Sequence, residues 1–354
     1  MATIRDVAKL AGVGVGTASR VISGRGSVST EAAERVRAAI RELEFRPSSI
    51  ARSLSGQSLG AIGLFVQTLR GDFYRSILEA VDDELRAVHR HMVVVSGSNH
   101  GSDYDESIRA LDFLMQRDCD GIVIIGHQLH DADILRLRDR NPRLAILNRR
   151  LEGMEDACFS VDHHRAGALA ARTLLDHGHR RFGVMGGPSS APDNTDRVQG
   201  FLDTLAAEDI DAASVPVIES NFAKDGGLRT MGQLLQRDPS ITGVFCGNDD
   251  MAVGALTWLR DHDISVPRDM SVIGYDDVYT SAHTFPALTS IHIPMYEVAA
   301  NAVRWLIEQC YGVSQPIERQ FPVTVSMRDS VAMAPAQPRK PLRDTRYSAS
   351  RPKL

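Results

Sequence analysis

The chain has 354 residues, which at roughly 100 to 200 residues per domain suggests two or three compact units. Hydrophobic residues make up 43% and charged residues 24%, a balance that excludes disordered, collagen-like and rod-like chains. No apolar run approaches the roughly 18 residues that a membrane span requires, and charged residues occupy the opening segment where a secretion signal would be apolar. The four cysteines lie tens of residues apart without a C-x-x-C pair, so we expect a cytoplasmic protein without disulfides, metal or cofactor.

The net charge of -5 is unevenly distributed along the chain. Residues 1 to 55 carry nine basic and five acidic side chains, and residues 335 to 354 carry six and one, which leaves -14 for the body between them. A basic head on an acidic body favours a polyanionic partner such as nucleic acid. An excess of four charges is equally compatible with an ordinary solvated surface.

The first 45 residues have the periodicity of short helices. Apolar residues recur at helical spacing over residues 4 to 11, and Gly12 follows as a stop. A second stripe, over residues 18 to 22, begins after a turn that contains glycine, which is the pattern of a helix-turn-helix. A third helix is predicted to begin after Ser29 as its N-cap. The alternative is a small helical bundle that binds nothing.

If the second helix is a recognition helix, its outward positions enter a major groove. With the apolar stripe turned inward, the outward residues are Gly16, Thr17 and Arg20, with Val15 at the helix start. Arg20 can donate two hydrogen bonds to guanine, and Val15 can pack on a thymine methyl group. We therefore expect these four residues to face DNA bases.

From Gly60 onward, short β-rich runs alternate with helical stretches in two series. The first series comprises residues 61–66, 92–95, 122–125 and 144–147, and the second comprises 182–185, 215–218, 243–246 and 271–274. Continuous apolar strands separated by helices of about 10 to 15 residues predict parallel sheets covered on both faces. Such sheets bind ligands beyond the carboxyl ends of their strands.

Polar and aromatic residues follow these strands. The polar ones are Asn148, Asn248 and Asp276, with Asp196 and Arg197 at the end of a predicted loop after residue 185, and the aromatic ones are Phe73, Tyr74 and Phe222. Carboxylate, amide and guanidinium groups can make paired hydrogen bonds to sugar hydroxyls, and aromatic rings suit the apolar face of a pyranose. Taken singly, Asn248 or Asp276 is more often a cap or turn residue. Their shared position after successive strands favours a ligand site.

The run TIRDVAKLAGVGVGTASRVISG, followed by SVSTEAAERVRAAIRELEFRPSSIARSL, resembles the DNA-binding head and hinge of the LacI/GalR family of bacterial transcription regulators. Segments such as LNRRL, GVFCGNDDMAVGAL and VPRDMSVIGYDDV extend the resemblance to about Val331, with a register similar to the galactose-repressor branch. The resemblance implies that residues 47 to 54 form a hinge helix on DNA, with Leu54 wedged into the minor groove.

For the body, the resemblance implies an effector cleft between two subdomains. Its lining would include Arg197, Phe222, Asn248 and Asp276, with Phe73, Tyr74, Asn148 and Asp196 nearby. The sequence departs from the family's usual pattern at Gly14, where a serine N-cap is common, and at Gly16, which offers no side chain to a base. The segment from 189 to 195 lacks an arginine, which argues against a purine corepressor.

We therefore expect an all-α helix-turn-helix head joined to an α/β, periplasmic-binding-protein-like body of two doubly wound parallel-sheet subdomains. The predicted divisions are a head at 1–46, a hinge at 47–58, an effector domain at 59–334 and a disordered basic tail at 335–354. Within the effector domain, subdomain 1 takes residues 59–161 and 292–320, and subdomain 2 takes 162–291 and 321–334.

The predicted function is that of a homodimeric repressor of carbohydrate-utilisation genes. It would bind operator DNA and leave it when a small sugar, galactose-like or a galactoside, occupies the cleft. The alternatives are a purine-type corepressor, a transport binding protein and an α/β enzyme of sugar or nucleotide metabolism. A transport binding protein would need a secretion signal, which we do not expect from the charged opening segment. An enzyme would leave the basic head unexplained.

Overall fold

The computed structural model describes residues 2–23, 26–45, 60–97, 104–117 and 119–336. The predicted hinge with its Leu54, and the tail beyond residue 336, lie outside these residues. None of the helices that the structure describes combines the length and apolar character that a membrane crossing requires.

Three helices form the head, as the apolar periodicity predicts. They are α1 (Ile4–Leu10), α2 (Val15–Ser23) and α3 (Thr30–Glu42). Thr3 closes a capping box on α1, and the Ser29 hydroxyl accepts a 3.3 Å hydrogen bond from the Ala32 amide at the start of α3. Val7, Ala18 and Val36 are buried together where the three helices meet. The head therefore has its own small apolar core.

The first sheet is entirely parallel and carries the first predicted series of strands. Its strands are β1 (Ala61–Val66), β2 (His91–Ser96), β3 (Gly121–Ile125), β4 (Leu144–Leu147) and β5 (Cys158–Phe159), in the order β2-β1-β3-β4-β5. Its helices are α4 (Phe73–Ala87), α5 (Tyr104–Gln116) and α6 (Asp131–Arg140). The strands β1, β3 and β4 are almost completely buried, as expected for a sheet covered on both faces.

The second sheet carries the second series. Its strands are β6 (Phe182–Gly186), β7 (Val217–Glu219), β8 (Gly243–Cys246), β9 (Ser271–Asp276), β10 (Thr289–His292) and β11 (Thr324–Ser326), in the order β11-β10-β9-β8-β6-β7. Its helices are α7 (His163–Asp176), α8 (Pro192–Ala206), α9 (Lys224–Arg237) and α10 (Asp249–Asp261). The last helix, α11 (Met295–Tyr311), returns to pack on α4 and β4 of the first sheet.

The chain passes between the two sheets at three places: from β5 to α7, from β10 to α11, and from α11 to β11. We call these the first, second and third crossings. The strands beside them, β5, β10 and β11, were not predicted from the sequence because they are only two to four residues long. The edge strand β11 also pairs antiparallel with β10, whereas the other pairings in its sheet are parallel. The predicted two-sheet α/β architecture is otherwise confirmed.

Candidate functional site

One candidate surface is the outer face of α2. The helix starts after Gly14, whose carbonyl accepts from the amides of Thr17 and Ala18 at 2.9 and 3.0 Å. Val15 is 46% exposed, and Gly16 and Arg20 are exposed as well, while Thr17 is half-buried. A β-carbon added at Gly14 or Gly16 would meet nothing within 4 Å. The face that the periodicity assigned to DNA is therefore open to an incoming duplex.

The second candidate is a cleft of about 800 Å³ at the carboxyl ends of the strands of both sheets. Seven of the eight predicted ligand residues border it, namely Phe73, Tyr74, Asn148, Arg197, Phe222, Asn248 and Asp276. The eighth, Asp196, is exposed and borders a neighbouring cavity of about 310 Å³ instead. The predicted loop up to Asp196 is wrong, because helix α8 already begins at Pro192 and turns Asp196 away from the cleft.

Arg197 is the most firmly held side chain in the cleft. It is 2% exposed, its Nε donates to the Asp193 carbonyl at 3.1 Å, and its Nη1 donates to the Gly247 carbonyl at 2.6 Å. Its Nη2 donates to the carboxylate of Asp193, one helical turn earlier. The guanidinium carbon also lies 4.0 Å from the ring centroid of Tyr275. The guanidinium plane is thus fixed before any ligand arrives.

Asp193 was missed by the sequence analysis, although it joins both sides of the cleft. Its carboxylate accepts a 2.8 Å hydrogen bond from the side-chain amide of Asn148, which follows strand β4 of the other sheet. Its spacing of four residues from Arg197, on one helix, was the available sequence signal. A second contact between the two parts of the chain is made by Thr280, which follows β9 and donates to the carboxylate of Asp72, which precedes α4.

Helix α8 can hold Arg197 there because it packs unusually close to α7. A β-carbon at Gly167 would lie 1.8 Å from the Arg197 carbonyl oxygen, and one at Gly200 would lie 1.9 Å from that of His164. Real β-carbons do not approach backbone atoms so closely. Both positions therefore require glycine to bring the two helices together.

Among the predicted polar residues that border the cleft, Asp276 alone makes no side-chain hydrogen bond to the described residues. It ends β9 with a left-handed φ of 104° and borders the cleft. Burial raises the pKa of its carboxyl well above the ordinary value, and the neighbouring Asp249 and Asp193 add to this against the opposing effect of Arg197. Such a group gains most from a ligand that donates hydrogen bonds to it.

Asn248 borders the cleft and also makes two hydrogen bonds within the protein. Its Oδ1 accepts from the Met251 amide at 2.9 Å as the N-cap of α10, and its Nδ2 donates to the Phe222 carbonyl at 3.0 Å. It therefore positions Phe222, which has a φ of 58° and an edge-to-face contact with His127 across the cleft at 5.7 Å. Asn248 keeps one Nδ2 hydrogen for a ligand.

Other groups in the lining were not predicted. The Gln67 Oε1 is buried without a hydrogen-bond partner among the described residues, while its Nε2 donates to Ser107 at 3.4 Å. Burial lowers the pKa of His127, so its imidazole is neutral at neutral pH. Lys224 pairs with Asp250 at 3.3 Å. The cleft thus combines carboxyl, amide and imidazole groups with aromatic rings, and these suit a ligand with several hydroxyl groups.

Histidines do not form a metal site in the described ranges, where no group of three potential ligands lies together. His163 and His179, which lie close in sequence to other histidines, are buried and bonded within the protein. The Nδ1 of His163 lies 2.6 Å from the Tyr275 hydroxyl, and the Nδ1 of His179 lies 3.0 Å from the Thr242 hydroxyl.

Comparison with known proteins gives matches to both parts of the chain. Residues 3–48 match the family described as bacterial regulatory proteins, lacI family, and residues 171–331 match the periplasmic binding protein-like domain. The HTH-type transcriptional regulator GalR of Escherichia coli strain K12 is 34% identical over 333 residues, covering 94% of this chain and 96% of that protein.

Solved structures give the same result. A transcriptional regulator of the LacI family from Burkholderia phymatum is 52% identical with a TM-score of 0.75, covering 77% of this chain and 99% of that one. The lac repressor dimer bound to operator and the anti-inducer ONPF is 25% identical with a TM-score of 0.77, covering 94% and 99%. The likeness therefore includes both the head and the body.

Proposed function

The chain belongs to the LacI family and is a DNA-binding, ligand-regulated transcriptional repressor, and from that premise we propose that its effector is a neutral sugar, galactose-like or a galactoside. The relatives are regulators of transcription, so the enzyme alternative is not supported. The proposed effector would occupy the cleft between the two sheets and release operator DNA.

The observation that carries the sugar proposal is the uncommitted carboxyl of Asp276. Among the basic side chains that line the cleft, Arg197 is paired with Asp193 and Arg149 with Asp131, while Arg70 is exposed. A sugar offers hydroxyl donors to the carboxyl of Asp276, whereas an anionic group beside it would bring two acidic groups together. The rings of Tyr74 and Phe222 border the same cleft and suit the apolar face of a pyranose.

A purine corepressor is the second candidate, favoured by the same two aromatic rings, on which a flat base would stack. Calorimetry on the full chain distinguishes a sugar effector from a purine corepressor. The sugars tested are D-galactose, methyl β-D-galactoside, lactose and D-glucose, and the purines are hypoxanthine and guanine. We expect heat of binding with a galactose-type sugar only. Saturable binding of a purine without any sugar response would overturn the proposal.

For DNA, we propose that Val15, Gly16, Thr17 and Arg20 face bases and that Leu54 enters the minor groove. The exposed face of α2 supports the first part. Leu54 lies outside the described residues, so its role stays a prediction from the family resemblance. A cytoplasmic location is part of the same proposal, because a repressor acts where the DNA is.

We also propose that the chain acts as a homodimer on a near-palindromic operator, since two heads related by a twofold axis read two half-sites. Exposed apolar side chains around the loop from β9 to β10 support a contact between subunits. Tyr279 and Phe285 lie in that loop, and Phe285 is 99% exposed, while Met327 follows the adjacent edge strand β11. The divisions of the chain given above, from the head at 1–46 to the tail at 335–354, belong to the same proposal.

A further inference from the structure

Three consecutive residues, Tyr275, Asp276 and Asp277, connect the cleft with the places where the chain crosses between the sheets. The middle residue faces the cleft, as described above. The side chains of Tyr275 and Asp277 are hydrogen-bonded to residues at the three crossings. The inference drawn from this rests on the proposed function, because it concerns how a ligand at Asp276 acts on the rest of the protein.

Tyr275 reaches the first crossing. Its hydroxyl lies 2.6 Å from Nδ1 of His163, the first residue of α7, and both side chains are buried. The adjacent Asp162 caps α7 by accepting from the Arg165 amide at 2.9 Å. The face of the Tyr275 ring lies under the guanidinium of Arg197. A shift of the cleft side chains therefore reaches the start of α7 through one rigid ring.

Asp277 reaches the second and third crossings. Its carboxylate accepts from Nδ1 of His292, the last residue of β10, at 3.1 Å. It also accepts from the Ser326 hydroxyl and from Nη2 of Arg328, both at 2.6 Å, and these two residues follow the third crossing. Although burial raises the pKa of Asp277, the hydrogen bonds from His292, Ser326 and Arg328 lower it to about 2. The carboxylate is thus charged at neutral pH, which strengthens all three bonds.

The backbone of this segment is held in an unfavourable conformation. Asp276 has a φ of 104° and Asp277 a φ of 56°, both in the left-handed region that favours glycine. Non-glycine residues stay in this region only when the surrounding contacts hold them there, and such residues are concentrated at functional sites. The side chains of Tyr275 and Asp277 supply some of these contacts, and the Asp277 amide also donates to the Ser290 hydroxyl at 3.1 Å. Loss of either side-chain contact should therefore loosen the backbone that aims Asp276.

We propose that Tyr275 and Asp277 are positioning residues that couple occupancy of the cleft at Asp276 to the three crossings, and hence to the relative orientation of the two sheets. Neither side chain needs to touch the sugar for this role. If Tyr275 and Asp277 only stabilise the fold, replacing them lowers stability and nothing else. If they couple the cleft to the crossings, replacing them reduces the effect of bound sugar on operator affinity.

The test uses the full chain, a near-palindromic duplex selected by this protein from a random pool, and methyl β-D-galactoside. The variants are Tyr275→Phe, which removes only the hydroxyl, and Asp277→Asn, which removes the charge and replaces one accepting oxygen by a donating NH2 group. The matched controls are Tyr104→Phe, whose hydroxyl donates to Asp133 at 2.9 Å away from the crossings, and Asp238→Asn, whose carboxylate pairs with Arg181 at 2.7 Å.

Three quantities are measured for each protein: the sugar Kd, and the operator Kd with and without saturating sugar. In Tyr275→Phe and Asp277→Asn, the ratio of the two operator Kd values should fall about tenfold, while the sugar Kd of Tyr275→Phe changes by less than about threefold. The controls should keep the parental ratio. A parental ratio in Tyr275→Phe, or an equal fall in its control, would overturn the inference.

If the proposed function is wrong, the parent protein itself binds no sugar. Amide hydrogen exchange in the unliganded protein then tests whether the Tyr275 hydroxyl restrains the first crossing. Exchange over residues 159 to 165 should be faster in Tyr275→Phe than in Tyr104→Phe. Equal rates in the two variants would show that the hydroxyl bond does not restrain the first crossing.

Discussion

The side-chain amide of Asn148 donates a 2.8 Å hydrogen bond to the carboxylate of Asp193 across the cleft. The same carboxylate accepts from Arg197, so one acidic group joins the first sheet to the arginine of the second. Asn148 itself is held by its backbone, since its amide donates to the Phe159 carbonyl at 2.9 Å and its φ is 60°. The Asp193 carboxylate therefore takes part both in the contact across the cleft and in the orientation of Arg197.

Asp193→Ala should lower the free energy of unfolding by about 3 kcal/mol and abolish sugar binding, because it leaves the buried Arg197 charge without its partner. Urea unfolding and calorimetry measure the two effects. Asp225→Ala is the control, since Asp225 and Arg229 form a pair with the same spacing but are more than half exposed. That change should cost at most about 0.5 kcal/mol. Equal losses in the two variants would contradict the assignment.

Asp276→Asn should raise the free energy of unfolding at neutral pH while it abolishes induction by sugar. The raised pKa of Asp276 means that the folded protein disfavours the ionised carboxylate, and the amide removes that charge. Operator binding without sugar should persist. Asp238→Asn is the control, because hydrogen bonds from Ser240 and the charge of Arg181 lower the pKa of Asp238 in spite of its burial, so its charge is stabilising. A loss of stability in Asp276→Asn, or DNA release by sugar, would refute this prediction.

Asp249 should make stability depend on pH between about 4 and 6. Burial raises its pKa from the ordinary 3.8 to about 6, although hydrogen bonds from Ser281 and Ser290 oppose the rise. The folded protein therefore keeps a proton that the unfolded chain releases, so the contribution of Asp249 is most favourable below about pH 4 and is lost as the pH rises through about 6.

Urea unfolding of the parent and of Asp249→Asn at about pH 4.5 and about pH 7 isolates this group, because the other titrating residues are common to both proteins. The stability of the parent relative to the variant should be smaller at the higher pH. A difference that is constant or larger at the higher pH would show that the carboxyl is ionised throughout.

Arg20→Ala should weaken binding to the selected operator by about 1 to 3 kcal/mol, the range for one bidentate contact to a base. Affinity for random duplex should change much less. Arg41→Ala, at the exposed end of α3, is the matched loss of one positive charge and should leave the ratio of specific to random binding unchanged. Gel-shift titrations at one fixed salt concentration measure both. Equal losses on the two duplexes would make Arg20 a phosphate contact.

Phe285→Asp should shift the protein toward monomers, because it places a charge in the apolar surface proposed to join two subunits. Sedimentation velocity at several protein concentrations measures the change. Phe113→Asp, on the exposed face of α5, should leave the mass unchanged. A dimer that survives the Phe285 change would place the subunit contact elsewhere.

The exposed face of α2 and most of the cleft lining could be predicted from the periodicity and the ends of the strands. The stripe that buries Ala18 leaves Val15 and Arg20 outward, and residues after parallel strands must meet at one sheet edge. The sequence does not show the phase of a helix whose start is unknown. Asp193, four residues before Arg197, shares its face only if the helix already includes it, and the start of α8 at Pro192 shows that it does.

The sequence also does not reveal which groups are hydrogen-bonded to each other. Whether Asn248 binds ligand or caps α10 depends on contacts with Met251 and Phe222 that the spacing of residues does not reveal. The sequence likewise predicts Tyr275 only as a buried strand residue, and its contact with His163 is known only from the structure. Strands such as β11 are too short and too polar to give an alternating pattern.

The glycines at 167 and 200 limit how this protein can evolve. Because each faces backbone of the opposite helix, even alanine at either position would push α7 and α8 apart and carry Asp193 and Arg197 with them. Residues such as Phe222 or Asp276 border the open cleft, so replacing their side chains does not push α7 and α8 apart. Descendants that come to recognise a different ligand should therefore differ at the rim and floor of the cleft while keeping this helix pair unaltered.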